Sequence, residues 1–311
     1  MTKRGAEKLQ RGARNFSPTW PVLGVMNAIL VTGATGNVGR PLVTQLLNAG
    51  AEVLAVTRHP NSAGFPAGVQ TVGSAAAGLE GASAMFLNSR ALGDELESLV
   101  TSARLAGVTR LVALSAINAD DDFSRQPSRF RGDRNLEVEQ LAVDSGLEWV
   151  SLRPTVFVTN FFGMWAPQIQ MGDVVGGPFA DASTAPISER DIAAVAAHAL
   201  LTDELVGQRI PLTGPQALTN TELVDVIGRV LGRPLCYREI PAEAVRQRFV
   251  SMGFSAEFAD AYIALLAATV GTPALVTRDV EEILGRPAES FADAVSAHRD
   301  LFTNSQGRQY V

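Results

Sequence analysis

Three glycines, Gly33, Gly36 and Gly39, stand three residues apart where the apolar run at 27–32, NAILVT, gives way to a segment carrying Leu42, Val43, Leu46 and Leu47 on one helical face. The run is short and rich in aliphatic residues, and the spacing after it is helical, so the junction reads as strand, glycine turn, helix. Glycine has no Cβ, so a chain can turn sharply there and lie close to a ligand without a clash. In such a turn Gly33 and Gly36 let the backbone meet a pyrophosphate, while Gly39 lets the helix pack on the strand. Thr35, Asn37 and Val38 bring the first unpaired N–H groups of the helix to the same point. A dinucleotide site and a tight structural turn are the two readings, and the organisation of the rest of the chain favours the first.

Further strands are expected in AEVLAVTR at 51–58, VQTV at 69–72, SAMFLNS at 83–89, TRLVALSA at 109–116 and EWVSLRP at 148–154. Between them Leu92, Leu96, Leu99, Val100 and Ala103 mark one amphipathic helix, and 133–144, stopped at Ser145-Gly146, marks another. Near-continuous apolar strands such as LVAL suit a parallel sheet covered on both faces, with right-handed crossovers. The expected fold is therefore α/β, a Rossmann-type doubly wound parallel sheet, with the nucleotide-binding domain over 26–155. From 156 to 311 the pattern changes to aromatic-rich loops, helices at 189–201, 219–231 and 241–251, and short strands near 209–213 and 234–239. This reads as a smaller α/β substrate lobe partly interleaved with the sheet. Thr219 with Glu222 forms a capping box, and Gly232 ends that helix.

Composition narrows the partner. The chain has 311 residues, 46% apolar and 19% charged, as expected of a globular protein with a sizeable core. Its formal charge of -6 is spread without long runs of one sign, which argues against nucleic acid and membrane surfaces and points to a small molecule. No apolar run reaches the roughly 18 residues that span a bilayer. The single Cys236 cannot form an internal disulfide, which suits the cytoplasm, and His59, His198 and His298 are too scattered to suggest a metal. Residues 1–25, with Lys3, Arg4, Lys8, Arg11 and Arg14 but no signal-like apolar stretch, read as a disordered basic tail. Met26 directly before the first strand leaves an upstream start codon and an ordinary terminus as equal readings of it. A monomer or a homodimer fits the remainder.

Several residues near the expected carboxyl edge of the sheet are candidates for the site. Arg58, after the second strand and with no carboxylate beside it, favours NADP(H) over NAD(H), which stays possible. Asn88 ends the fourth strand, beside the cofactor or in a plain Asx turn. Ser115 and Thr155, after the fifth and sixth strands, are weak proton-relay candidates whose other reading is capping or loop structure. Phe157, Phe161, Phe162, Met164 and Trp165 cluster after Pro154, as core or as the wall of a pocket for a flat apolar substrate. Asp120, Asp121 and Asp122 with Arg125, Arg129, Arg131 and Arg134 read as a solvated loop able to fold over the site. ALSAIN, around Ser115, lacks the GxSxG elbow of hydrolases.

ILVTGATGNVG, LVALSA, EQLAVDSGLEWVSLRPTVFVTNF, ISERDIAAVAAHAL and LTGPQALTNTELVDVIGRVLG together resemble the NmrA-like branch of the atypical short-chain dehydrogenases/reductases, over about 27 to 300. The resemblance implies an NAD(P)-binding Rossmann fold with a small C-terminal substrate lobe. Members include NAD(P)H-dependent quinone and azo-dye reductases, isoflavone-reductase-like enzymes and reductases of ergot-type iminium ions, while others are redox-sensing regulators without known catalysis. Ordinary short-chain reductases use a YxxxK pair, and alignment through Glu139 puts Arg131 at the tyrosine position and Asn135 at the lysine position. Arginine stays protonated, and asparagine can hydrogen-bond a ribose but carries no charge. No substitute lies nearby, since the only lysines are Lys3 and Lys8 and the tyrosines are Tyr237, Tyr262 and Tyr310. Hydride addition to an iminium ion needs no proton in the same step, and a quinone can take its proton from water. The expectation is an NADP(H)-dependent reductase of a small, apolar, conjugated acceptor, with a non-catalytic redox sensor as the rival.

Overall fold

The short aliphatic runs form strands in the computed structural model, which describes residues 28–303. They are β1 (Ala28–Val31), β2 (Val53–Val56), β3 (Val69–Val72), β4 (Ala82–Asn88), β5 (Arg110–Leu114), β6 (Glu148–Pro154), β7 (Val174–Gly177), β8 (Ser183–Thr184), β9 (Gln208–Leu212), β10 (Leu218–Thr219) and β11 (Cys236–Glu239). The helices are α1 (Gly39–Asn48), α2 (Ser89–Leu92), α3 (Leu96–Leu105), α4 (Asn135–Asp144), α5 (Val158–Met171), α6 (Glu189–Leu201), α7 (Asn220–Leu231), α8 (Ala242–Ser251), α9 (Ala256–Ala267), α10 (Asp279–Leu284), α11 (Phe291–Ala297) and α12 (Asp300–Thr303). The stretch 1–25, read as a basic tail, lies outside the described residues. Among the described residues no helix is long and apolar enough to cross a membrane.

Seven strands make one parallel sheet in the order β3-β2-β1-β4-β5-β6-β9. Because the order reverses at β1, the chain leaves β1 and β4 in opposite directions and a crevice opens at their carboxyl ends. This is the doubly wound, Rossmann-type α/β fold expected from the alternation. Successive strand side chains point to opposite faces, so Ile29 and Val31 enter one core and Leu30 the other. Leu42, Val43 and Leu46 of α1 and Ile192, Val195 and Ala196 of α6 cover the first face. Leu96, Leu99 and Val100 of α3 with Val138 and Ala142 of α4 cover the second. Each large aliphatic side chain buried this way contributes on the order of 2 kcal/mol.

Two elements of the C-terminal half are built into this sheet. The strand read near 209–213 is β9, which pairs along β6, and α6 lies beside α1, with Gln45 Nε2 donating to the Arg190 carbonyl at 3.2 Å. The rest of that half forms a lobe. Its main core joins α5, α7, α11 and α12 with β7 and β11, and Phe249, Phe254, Phe258 and Tyr262 of the α8–α9 pair form a smaller aromatic cluster. The stretch after Pro154, expected as aromatic-rich loop, is mostly the helix α5. Val158, Phe161, Phe162, Trp165, Ala166 and Ile169 recur at helical spacing and are all buried, and Pro167 in the last turns obscures the pattern. The capping box at Thr219–Glu222 and the left-handed Gly232 bound α7 as expected.

Candidate functional site

The glycine turn occupies the mouth of the crevice. Thr32, fully buried, donates from Oγ1 to the Phe86 carbonyl and accepts from the Asn88 N–H, both at 2.8 Å, and so fastens the end of β1 to β4. Gly33 then takes φ +63°, a left-handed conformation that favours glycine, with Asn88 directly against it: a Cβ there would lie 2.9 Å from Asn88 Nδ2. The Gly36 N–H closes the turn on the Gly33 carbonyl at 2.9 Å. At Gly39 a Cβ would lie 2.1 Å from the same carbonyl oxygen, so only glycine lets α1 start this close to β1. Thr35, Gly36 and Asn37 are exposed, whereas the Val38 side chain is buried in the sheet core. No side chain caps α1 and no acidic residue stands in its first turn; the Arg40 N–H bonds the Gly36 carbonyl and Pro41 has none, so the N–H groups of Asn37, Val38 and Gly39 are the ones left for a ligand at this helix start. An exposed, uncapped helix start behind a turn that admits no side chain fits a pyrophosphate, and it is the main chain of Gly33–Gly39 that would hold one.

At the end of β2, Thr57 is buried and accepts from the His59 N–H at 3.2 Å, while Arg58 is exposed and pairs with no carboxylate among the described residues. A second cation on this side was missed from the sequence. Arg40, on the first turn of α1, donates to the Ala63 carbonyl at 3.0 Å and lies over the Phe65 ring at 5.2 Å. Its helical position gave no hint that the segment after β2 folds back onto it.

On the other side of the crevice Asn88 caps α2, its Oδ1 accepting from the Ala91 N–H at 3.3 Å, so the Asx reading holds while the side chain also faces Gly33. The two proton-relay candidates are both bonded to the main chain. Ser115 is buried and gives its hydroxyl hydrogen to the Asn135 carbonyl at 2.9 Å, and Thr155 gives its own to the Ala185 carbonyl at 2.6 Å. Both hydroxyls thus have a main-chain carbonyl partner, which fits the loop-structure reading of each. Asn135 opens α4, is buried, and donates from Nδ2 to Ser128 Oγ at 3.2 Å. Arg131, four residues earlier, has its guanidinium 5.4 Å from the centre of the Phe254 ring. Burial and the nearby Arg90 lower its pKa, partly opposed by Asp133.

The acidic loop does fold across this edge. Asp120 pairs with Arg153 at 2.6 Å, Asp122 caps a short 3-10 turn at Phe123–Arg125, and a second turn at Pro127–Arg131 packs on α9. The expected pocket wall is otherwise placed. Phe161, Phe162 and Trp165 are 5%, 3% and 4% exposed and pack on Phe291, Phe302 and Tyr237, so they belong to the lobe core. Phe157 is half-buried at the start of α5, and Met164 bridges the lobe core and the α8–α9 aromatics. Of the described tyrosines, Tyr237 spends its hydroxyl on the Pro178 carbonyl at 2.8 Å. Burial raises the Tyr262 phenol, which therefore stays protonated. Among the described residues no cluster of His, Cys, Asp or Glu is able to hold a metal ion.

The model of the NmrA-like family matches residues 26–283. A (4-alkanoyl-5-oxo-2,5-dihydrofuran-3-yl)methyl phosphate reductase from Streptomyces griseus is 34% identical over 284 residues, which cover 88% of this chain and 99% of that one. An NAD(P)H azoreductase from Xenophilus azovorans is 32% identical over 287 residues, again 88% and 99% of the two chains. Among solved structures, the NADPH-dependent quinone oxidoreductase of Escherichia coli in complex with NADPH superposes with a TM-score of 0.74 at 21% identity, over 87% of this chain and 99% of that one.

Proposed function

Because the chain belongs to the NmrA-like family, we propose that it is an NADP(H)-dependent reductase of a small, apolar, conjugated acceptor such as a quinone, an imine or iminium ion, or a related secondary metabolite. The observation that carries the reading is the glycine turn, which brings an uncapped helix start to the switch point of the sheet and leaves no room for a side chain at Gly39. That two relatives above 30% identity are named reductases supports it. When bound, the dinucleotide supplies a hydride.

The chain's own residues bind and orient. Main-chain N–H groups of Thr35 and of Asn37 to Gly39 hold the pyrophosphate, Arg58 meets the 2′-phosphate as a charge-assisted partner, and Asn88 and Asn135 flank the crevice on the side of β4 and β5. Phe254 and Tyr262, with Arg131 over Phe254, form one pocket wall, and Phe157, which packs against the sheet core at the start of α5, stands apart from them. Phe254 and Tyr262 exclude water from one face and suit a flat acceptor. Since Ser115 and Thr155 have given their hydrogens to carbonyls, neither delivers a proton to a nascent alkoxide. That favours acceptors that need no acid in the hydride step.

The same commitment of both hydroxyls favours one second reading, a dinucleotide sensor without turnover. NADPH oxidation measured with a panel of quinones and cyclic imines separates the two. Turnover with any of them, abolished in Gly36→Trp, establishes the reductase. Binding that prefers the oxidised dinucleotide, with no acceptor reduced, establishes the sensor.

A further inference from the structure

Where the sheet edge meets the lobe stands a guanidinium with no acid of its own. Arg131 ends the short turn at Pro127–Arg131, is exposed, and forms no ion pair and no side-chain hydrogen bond among the described residues. The charges around it are engaged elsewhere. Arg90 holds both oxygens of Asp133, at 3.0 and 2.5 Å, and Arg129 pairs with Glu137 at 2.7 Å. Arg134 spends Nη1 on the Arg129 and Asp133 carbonyls, at 3.1 and 2.9 Å. Partial burial lowers the Arg131 pKa, and the repulsion of Arg90 adds more to this than the attraction of Asp133 takes back. The guanidinium still stays charged, so the positive charge here is not neutralised from within the chain.

The turn is fixed at the carboxyl edge of the sheet. The Arg134 N–H donates to Ser89 Oγ at 2.9 Å, directly after β4, and the Asn135 carbonyl accepts from Ser115 Oγ at 2.9 Å, directly after β5. Both strands lie across the switch point from β2 and Arg58, so for a dinucleotide laid over the crevice this is the side of the nicotinamide. From the lobe, the Phe254 ring centre lies 5.4 Å from the Arg131 guanidinium carbon. Phe254 is itself stacked on Phe258 at 4.6 Å and set edge-on to Phe249 at 5.5 Å. A ring face attracts a cation through its quadrupole and leaves the charge in place for a ligand. Phe123 and Phe130 of the same loop are 48% and 40% exposed. An unpaired guanidinium among open aromatic surface suits a ligand that is both flat and anionic, because its N–H groups match the paired oxygens of a carboxylate, sulfonate or phosphate.

We propose that Arg131 is a specificity-determining residue that pairs with an acidic substituent on the conjugated acceptor while the ring of that acceptor lies along Phe254. The inference rests on the reductase reading and narrows its acceptor to members that carry a carboxylate, sulfonate or phosphate. Arg131 then binds the acceptor through a group remote from the atoms that take the hydride, which is what a side chain that cannot give up its proton is able to do.

The test is steady-state NADPH oxidation by the full chain with a matched pair of acceptors, a benzoquinone bearing a propanoate side chain and the methyl ester of the same compound. The methylene spacer insulates the ring, so the pair differs in charge and little else. The parent protein is expected to prefer the acid about tenfold in kcat/KM, mostly through KM, the worth of one charge-assisted hydrogen bond at a partly open site. Added salt erodes that preference. Arg131→Met keeps an unbranched stem over Phe254 and removes the charge, and its acid-to-ester ratio falls to near unity, whereas Arg131→Lys retains part of the preference. A parent that reduces both compounds equally well, or a preference that survives in Arg131→Met, overturns the proposal and leaves the reductase reading standing. No oxidation with either compound, nor with any quinone or imine, sinks the reductase reading and this inference with it. Calorimetric titration with NADPH tests the other anion close by. NADPH binding weakened about tenfold in Arg131→Met, beside an unmoved acid-to-ester ratio, assigns the guanidinium to the dinucleotide and likewise overturns the proposal.

Discussion

Gly39 illustrates how much a single residue can be asked to do. A Cβ there meets the Gly33 carbonyl at 2.1 Å and Ala34 Cα at 2.8 Å, backbone atoms with no freedom to swing aside. Gly39→Ala is expected to cost a few kcal/mol and to lower the melting temperature by many degrees. Gly163→Ala, on the exposed side of α5 with nothing within 4 Å of the new methyl, is expected to be neutral or to stabilise by about 0.5–1 kcal/mol. Equal melts for the two variants would remove the close-packing account of the turn. Arg58 acts at the same scale on affinity. Exposed and without a carboxylate partner, its replacement by alanine should weaken NADPH about tenfold and leave NADH nearly unchanged, and equal losses in paired titrations would cancel its assignment to the 2′-phosphate. The glycines and Arg58 could be read from the sequence because their meaning is local: a strand before, a helix after, a charge at a strand end. Ser115 and Thr155 could not, because the carbonyls that take their hydrogens belong to residues 20 and 30 positions away.

Elements are tied across the two halves of the chain by one buried carboxylate. Glu139 of α4, 1% exposed, accepts from Arg153 Nη2 at 2.6 Å and from Ser151 Oγ at 2.5 Å on β6, and from Arg209 Nε at 2.5 Å on β9. Burial alone would push this carboxyl up, but the hydrogen bonds from Arg153, Ser151 and Arg209 outweigh it and hold the pKa at about 2, against an ordinary 4.5. Because the folded-state value is the lower one, the stabilisation is complete above the ordinary value and drains away as pH falls from about 4.5 towards 2. Glu139→Gln leaves Arg209 without its carboxylate and Arg153 with Asp120 alone. It should cost about 3 kcal/mol near neutrality and shrink the difference between melts at neutral and acid pH, whereas an undiminished acid sensitivity would show that other carboxylates carry it. The clamp also explains why β9 was hard to place by inspection. Its short run of residues looks like any lobe strand, and only pairing with β6 and the Glu139 contact, 70 residues back, put it in the sheet. The helix α5 was hidden differently. Its buried positions do follow the helical period, but Pro154 before it and Pro167 within it look like punctuation, and a run of aromatics after a strand suggests a pocket as readily as a core.

For the whole molecule, the alternation of strands and helices specified the sheet because each βαβ unit is a local pattern with one allowed hand. The packing of the loop after β5 could not be inferred that way. It joins the loop at 117–132 to α9, segments more than a hundred residues apart whose sequences carry no mark of each other. Since the site draws on both halves, ligand binding should stabilise them together. NADPH at about a hundredfold excess over its Kd should add about 2.7 kcal/mol and shift a single melting transition upward. A shift confined to one of two separate transitions would mean that the lobe does not share in binding. The proposed reaction is hydride delivery to an acceptor that needs no acid from the protein. The most direct measurement is a single-turnover experiment in which the protein, preloaded with one equivalent of NADPH, is mixed rapidly with a quinone or a cyclic iminium ion while the nicotinamide absorbance is followed. Full, exponential loss of that absorbance is expected with such acceptors and none with a simple ketone. Absorbance that holds steady with all of them, while the nucleotide stays bound, would contradict it and identify the chain as a sensor.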